Sequence, residues 1–238
     1  MTKEPHSMKK KSYIYTFLWI FVSQALPVEA LDFHVVRKAV IGNQAEDLKI
    51  ESDYEAGQLG SQMASGDFNG DGIDDLLVSA PFATTNGKEW NGAVDLYFGG
   101  KREMSEKITF TGSRAGDQLG SSLAAGDFNG DGIDDVAIGA FNALANGKRV
   151  GRVYTVLGVS QATGQMTNQN FAEANIYRFS LTPREEGSLF GLTIKSEDLN
   201  NDGYSDLLVG APSAKNQNFD SVGAVHTYFG TRFGLSSN

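Results

Sequence analysis

Three stretches of this chain carry side-chain oxygens on alternate residues, a spacing suited to wrapping a hard cation. They read Asp67-Phe68-Asn69-Gly70-Asp71-Gly72-Ile73-Asp74-Asp75, Asp127-Phe128-Asn129-Gly130-Asp131-Gly132-Ile133-Asp134-Asp135 and Asp198-Leu199-Asn200-Asn201-Asp202-Gly203-Tyr204-Ser205-Asp206. Carboxylate or amide oxygens fill positions 1, 3, 5 and 9 of each loop. The residue at position 7 (Ile73, Ile133 or Tyr204) can add its backbone carbonyl, and the glycine at position 6 permits a sharp reversal. Oxygen-only donor sets with three carboxylates select Ca²⁺ over softer metals, and a flexible loop disfavours Mg²⁺. The expectation is one Ca²⁺ per loop, about three in all. Position 8 holds Asp74, Asp134 and then Ser205, so it is not a required ligand; its two aspartates are expected to sit behind the ligands or in solvent.

An EF-hand loop begins the same way but needs a bidentate Glu at position 12, between helices. Here position 12 is Val78, Ile138 and Val209, and the flanking runs are strand-like, so that motif is excluded. Ordinary turns are also rich in Asp, Asn and Gly without binding metal. Three copies with every ligand position filled argue against that bland explanation.

The loops belong to a longer repeat, with the first Asp recurring at 67, 127 and 198. Gln58-Leu59-Gly60, Gln118-Leu119-Gly120 and Leu189-Phe190-Gly191 precede the copies; Ala80-Pro81, Gly139-Ala140-Phe141 and Gly210-Ala211-Pro212 follow. Next come alternating runs ending in glycine, at 93–99, 152–158 and 224–230, and further strand-like runs at 107–111 and 176–180. Each unit reads strand, acidic loop, strand, turn, strand, loop, strand. Four strands at this period make a β-propeller blade, so the chain is expected to be all-β, with three blades of four antiparallel strands in a partial or open propeller.

Phe190-Gly191 followed by Gly210-Ala211-Pro212 resembles the signature of the FG-GAP repeat family, whose repeats build the propeller of integrin α subunits and occur in secreted bacterial proteins. The resemblance covers about residues 47–238 and divides the chain into repeats at 58–117, 118–188 and 189–238, the last without its fourth strand. It implies that the acidic loops are the family's calcium-binding turns. Two copies depart from the pattern with Leu-Gly for Phe-Gly, which keeps an apolar plug, and one has Phe141 in place of Pro.

Composition narrows the functional classes. The net charge of −9 opposes nucleic-acid binding, which needs Lys and Arg against phosphate. The absence of Cys removes disulfides, thiol nucleophiles and Cys–metal sites. The only histidines are His6, His34 and His226; His226 lies in an alternating run and is expected to be a packed or surface residue, and no nucleophile elbow, P-loop or His-Glu-x-x-His motif occurs. Residues 1–30, with a start at Met1 or Met8, run from basic (Lys9, Lys10, Lys11) through apolar to small residues ending at Ala30, the order of a secretory signal. The apolar run is shorter than the ~20 residues of a spanning helix. The expectation is a non-catalytic, calcium-binding adhesion or interaction module that is secreted, periplasmic or at the cell surface, with an extracellular protein or glycan as partner. The alternative is an accessory propeller of an extracellular hydrolase or lyase.

A last expectation concerns the ends of the array. Residues 31–57 form a lead-in whose segment Leu48-Lys49-Ile50-Glu51-Ser52 matches the fourth-strand run sixty residues later, an orphan strand for a blade begun elsewhere. Three such blades are too few to close. Open flanks would expose apolar faces and strand edges, so the chain is expected either to be a fragment of a longer propeller protein or to close with another copy, for example two arcs giving six blades.

Overall fold

A computed structural model describes residues 49–100, 107–145, 147–160, 169–170, 178–183, 186–218 and 220–236. Residues 1–30 with His6, residue His34 and the lead-in up to Leu48 lie outside this set. The described residues contain strands and no helix, and therefore no helix long and apolar enough to cross a membrane.

Three sheets follow one another along the chain. Blade 1 contains β1 (Met63–Gly66), β2 (Asp75–Ala80), β3 (Ala93–Tyr97) and β4 (Lys107–Thr111), antiparallel and in sequence order. Blade 2 begins with β5 (Ser122–Gly126) and β6 (Asp135–Ala140), after which β7 (Leu144–Ala145) and β8 (Lys148–Arg149) form a small separate hairpin. The blade resumes with β9 (Arg152–Val156); β10 (Gln169–Asn170) then crosses to pair in parallel with β4, and β11 (Arg178–Leu181) closes blade 2 beside β9. Blade 3 is β12 (Thr193–Glu197), β13 (Asp206–Ala211) and β14 (Ala224–Tyr228). The sheets do not close into a ring: this is a partial propeller.

The expected strand runs formed, with Lys107–Thr111 matching to the residue and 178–180 of the run at 176–180 paired as part of β11. The hairpin β7–β8 and the parallel β10 were not foreseen. Nor do residues 49–52 lie in a strand. A fourth strand needs a neighbouring third strand to pair with, and blade 1 already supplies its own in β4.

Period-two alternation decides where the core sits. Leu77 is paired with Leu96, and Leu96 with Ile108, so one row of blade 1 points at blade 2. There it meets Leu119, Leu123, Val136, Ile138 and Tyr154 in a continuous apolar seam. A second seam joins Ala137, Val153 and Leu181 of blade 2 to Phe190, Ile194, Leu207 and Val209 of blade 3. Leu119 is fully buried like Phe190, so Leu in place of Phe preserves the packing there, while Leu59 is half-buried against Ala80, Ala83 and Ala93. Side chains of this size stabilise by about 1.5–3 kcal/mol each when removed from water. These seams hold the acidic loops in file.

Candidate functional site

Each acidic loop joins the first two strands of its blade, and each is tied by nearly the same hydrogen bonds. Both carboxylate oxygens at position 1 accept backbone N–H groups from positions 5 and 6. Asp67 takes Asp71 at 3.1 Å and Gly72 at 2.8 Å; Asp127 takes Asp131 at 3.2 Å and Gly132 at 2.8 Å; Asp198 takes Asp202 at 3.2 Å and Gly203 at 3.0 Å. The amide oxygens of Asn69, Asn129 and Asn200 accept the same position-5 N–H at 2.9, 2.9 and 3.0 Å. Asp71, Asp131 and Asp202 in turn accept N–H of Ile73, Ile133 and Tyr204 at 2.9, 2.9 and 3.0 Å. The reversal this demands puts the position-6 glycines at φ of 82°, 84° and 90°, where a Cβ is strained.

Position 9 does something the spacing alone did not reveal. Asp75, Asp135 and Asp206 are essentially buried, and both oxygens of each are engaged. One oxygen accepts the N–H of position 2: Phe68 at 3.1 Å, Phe128 at 2.9 Å, Leu199 at 3.0 Å. The other accepts the N–H of the glycine just past the third strand: Gly99 and Gly158 at 2.8 Å, Gly230 at 2.9 Å. The expected ligand is thus also a pin fastening the loop to the far side of its own blade. The glycine that ends each alternating run was the available sequence signal. A side chain there would collide with the carbonyl of Asp74, Asp134 or Ser205.

Asp74 at position 8 is exposed, as expected, whereas position 8 of the second and third loops links each to the loop before it. The Asp134 N–H donates to the Asp67 carbonyl at 3.0 Å, and Ser205 N–H to that of Asp127 at 2.8 Å. The Asp134 carboxylate also accepts the Asp67 N–H at 3.1 Å. One residue past each strand-end glycine, Val159 and Thr231 donate to the carbonyls of Phe68 and Phe128 at 3.2 and 3.1 Å.

The donor set fits a hard cation in kind, since every side-chain ligand candidate offers oxygen. A carboxylate oxygen has two lone pairs, so an N–H bond leaves one available. Among the described residues, however, no three carboxylate or imidazole side chains converge as a metal ion would require. The loops fold on their own backbone hydrogen bonds, and among the described residues no Lys or Arg forms an ion pair with their carboxylates. Burial pushes the Asp75 carboxyl up to about 6, helped by the adjacent Asp71 and Asp67 charges. Burial likewise pushes Asp135 up to about 7, with Asp131 and Asp127 adding to it. His226, the only histidine among the described residues, lies edge-on to Phe190 with ring centroids 5.3 Å apart, as a packing residue.

Comparison with known proteins sets this geometry in a family. Residues 59–97, 119–156 and 190–228 each match the FG-GAP repeat. The chain is similar to integrin alpha pat-2 of Caenorhabditis elegans, 29% identical over 198 residues that cover 77% of this chain and 15% of that protein. It is 33% identical to integrin alpha-V of Gallus gallus over 185 residues, 77% of this chain and 16% of the relative. It also resembles the phosphatidylinositol-glycan-specific phospholipase D of Homo sapiens, 29% identical over 194 residues, 76% of this chain and 22% of the relative. The chain thus spans less than a quarter of the length of these relatives. Three matched repeats, each folded as a blade with its acidic turn between the first two strands, make this chain a member of the FG-GAP repeat family.

Proposed function

We propose that the chain is a calcium-stabilised interaction module of the integrin α propeller type, acting outside the cell in adhesion or protein contact and without catalysis of its own. The observation that carries this reading is the threefold recurrence of one loop, with oxygens at positions 1, 3, 5, 7 and 9 and, among the described residues, no Lys or Arg paired with its carboxylates. Asp67, Asn69, Asp71, Asp75 and the Ile73 carbonyl would hold one ion; Asp127, Asn129, Asp131, Asp135 and Ile133 a second; Asp198, Asn200, Asp202, Asp206 and Tyr204 a third. A bound cation would supply positive charge against the mutual repulsion of these carboxylates. The residues themselves fix the turn and carry the blade-to-blade links. Export is supported by the basic-to-apolar-to-small order of residues 8–30. The integrin α relatives support an extracellular protein as partner.

The first prediction follows. Each site contributes RT ln(1 + [L]/Kd), about 2.7 kcal/mol at a hundredfold excess over Kd. Scanning calorimetry should show EGTA lowering Tm by many degrees and Ca²⁺ restoring it better than Mg²⁺. A melting curve indifferent to chelator would refute the metal assignment, leaving the interaction role to be tested by capture from cell-surface extract.

The second reading, an accessory propeller of an extracellular hydrolase, is favoured by the similarity to a phospholipase D. Faster turnover of a glycolipid or polysaccharide by an extracellular hydrolase when the chain is added, lost with a folded Asp127→Ala variant, would establish it over the adhesion reading.

A further inference from the structure

The seams between blades show what a blade must offer its successor. On the face of blade 1 that meets blade 2, the first strand presents Ala64 and Gly66; on the matching face of blade 2 it presents Ala124 and Gly126. These positions are small because the next loop presses on them. A methyl group at residue 66 would stand 2.6 Å from Asp134 Oδ2, and one at residue 126 would stand 2.8 Å from Ser205 Oγ. Position 4 of the acidic loop is crowded too. A methyl at Gly70 would meet Ile133 Cδ1 at 3.0 Å, and one at Gly130 would meet Tyr204 Cδ1 at 2.9 Å. Both lie well inside the ~3.5–4.0 Å separation at which carbon atoms attract.

Blade 3 breaks this pattern at every corresponding position. Lys195 stands where blades 1 and 2 have Ala64 and Ala124, and Glu197 where they have Gly66 and Gly126; both are exposed. Asn201, at φ 60°, stands in place of Gly70 and Gly130. Among the described residues, nothing donates to the carbonyls of Asp198 and Leu199, whose counterparts in blades 1 and 2 receive the next blade's N–H groups. Val225 (69% exposed), Leu199 (50%) and Phe229 (37%), the counterpart of Phe98, remain as apolar residues on this side, interspersed with Lys195, Glu197 and Thr227.

We infer that the free face of blade 3 is built to refuse a second copy of this chain stacked in the manner of its own blades. Repeating the blade-to-blade step would bring another copy's blade 1 against it, with Asp74 arriving where Asp134 and Ser205 sit in the two existing seams. Asp74 would meet Glu197, a like charge filling space that an existing seam keeps empty. Ile73, 46% exposed in blade 1, would run into Asn201. Charged side chains at a contact surface oppose association when a like charge arrives opposite them. Self-association of copies into a closed ring is therefore opposed by this face.

The second prediction tests this by sedimentation velocity on the full chain over a wide concentration range. The native chain should show no head-to-tail association. Lys195→Ala with Glu197→Gly and Asn201→Gly, which restores the pattern of the first two blades, should associate at least about tenfold more tightly, a difference near 1.4 kcal/mol. Should that variant fail to fold, Glu197→Arg alone sets a cation opposite Asp74 and should raise association at low salt. Association through any other surface would be common to both chains, so the difference between them is the readout. Folded variants no more associated than the native chain would overturn the inference, as would native assemblies dispersed by Val225→Arg.

Discussion

Blades 1 and 3 each have one face that no other blade covers, and they treat it in opposite ways. The outward side of blade 1 is covered by the chain itself. Tyr54 lies over Ala80, Ala83 and Ala93, and its hydroxyl donates to Asp95 at 2.8 Å. Asp95 is 1% exposed and also accepts the Thr109 hydroxyl at 2.7 Å and the Lys107 ammonium at 2.9 Å, while Lys107 makes a second ion pair with Asp53 at 2.5 Å. Among the described residues, blade 3 has no such network on its free side, and Lys195 and Glu197 stand in water. The same register position carries Asp95 in blade 1, Tyr154 in blade 2 and His226 in blade 3, and the last two point into seams. The outward face of blade 1 is thus satisfied by internal partners, and the charges on the face of blade 3 by water. The first should be sensitive to single changes and the second tolerant of them.

The third prediction is the sharpest break in that contrast. Asp95→Ala removes the acceptor on which Tyr54, Thr109 and Lys107 converge, and losing one partner of a buried ion pair costs about 3–5 kcal/mol. Urea unfolding should register that loss, and a shift below 1 kcal/mol would mean that water already satisfies the network. A smaller effect is expected of Tyr54→Phe, the fourth prediction, which deletes one hydrogen bond to a charged acceptor while keeping the ring over the alanines. About 1.5–3 kcal/mol should be lost, with residues 49–57 becoming more accessible to protease. The smallest effect, and fifth prediction, belongs to the other face. Val225→Thr keeps the β-branch and a similar volume at an exposed position, so the unfolding free energy should change by no more than about 0.5 kcal/mol. A larger loss there would show that blade 3's free side is covered in solution.

Much of this architecture was legible because the repeat is written in short range. The spacing of the acidic residues, the alternating runs and the terminal glycines fall within one blade, and strand period follows directly from them. The residues of the candidate site were legible for the same reason. Their second role was not. Asp75 reads as one more acid in an acidic loop, and its partner Gly99 lies 24 residues on, across two strands. Asp95 was hidden more deeply. An aspartate between valine and leucine in an alternating run reads as a residue turned to water, and what buries it is Tyr54, 41 residues earlier. The hairpin β7–β8 and the two-residue β10 were too short to raise a periodic signal. Sequence pattern reports what each strand prefers locally, whereas burial of a polar group depends on which distant segment arrives.

The links between successive loops run from main chain to main chain, N–H of Asp134 to carbonyl of Asp67, and N–H of Ser205 to carbonyl of Asp127. A bond of that kind carries no spelling. Aspartate in one copy and serine in the next make the same main-chain link, to which Asp134 adds its carboxylate, so the joint survives while the letters at position 8 drift. For a lineage of tandem repeats this matters beyond stability: a duplicated blade arrives with its connector already in place. What selection must still edit are the few side chains, glycine or otherwise, that decide whether the next copy is admitted.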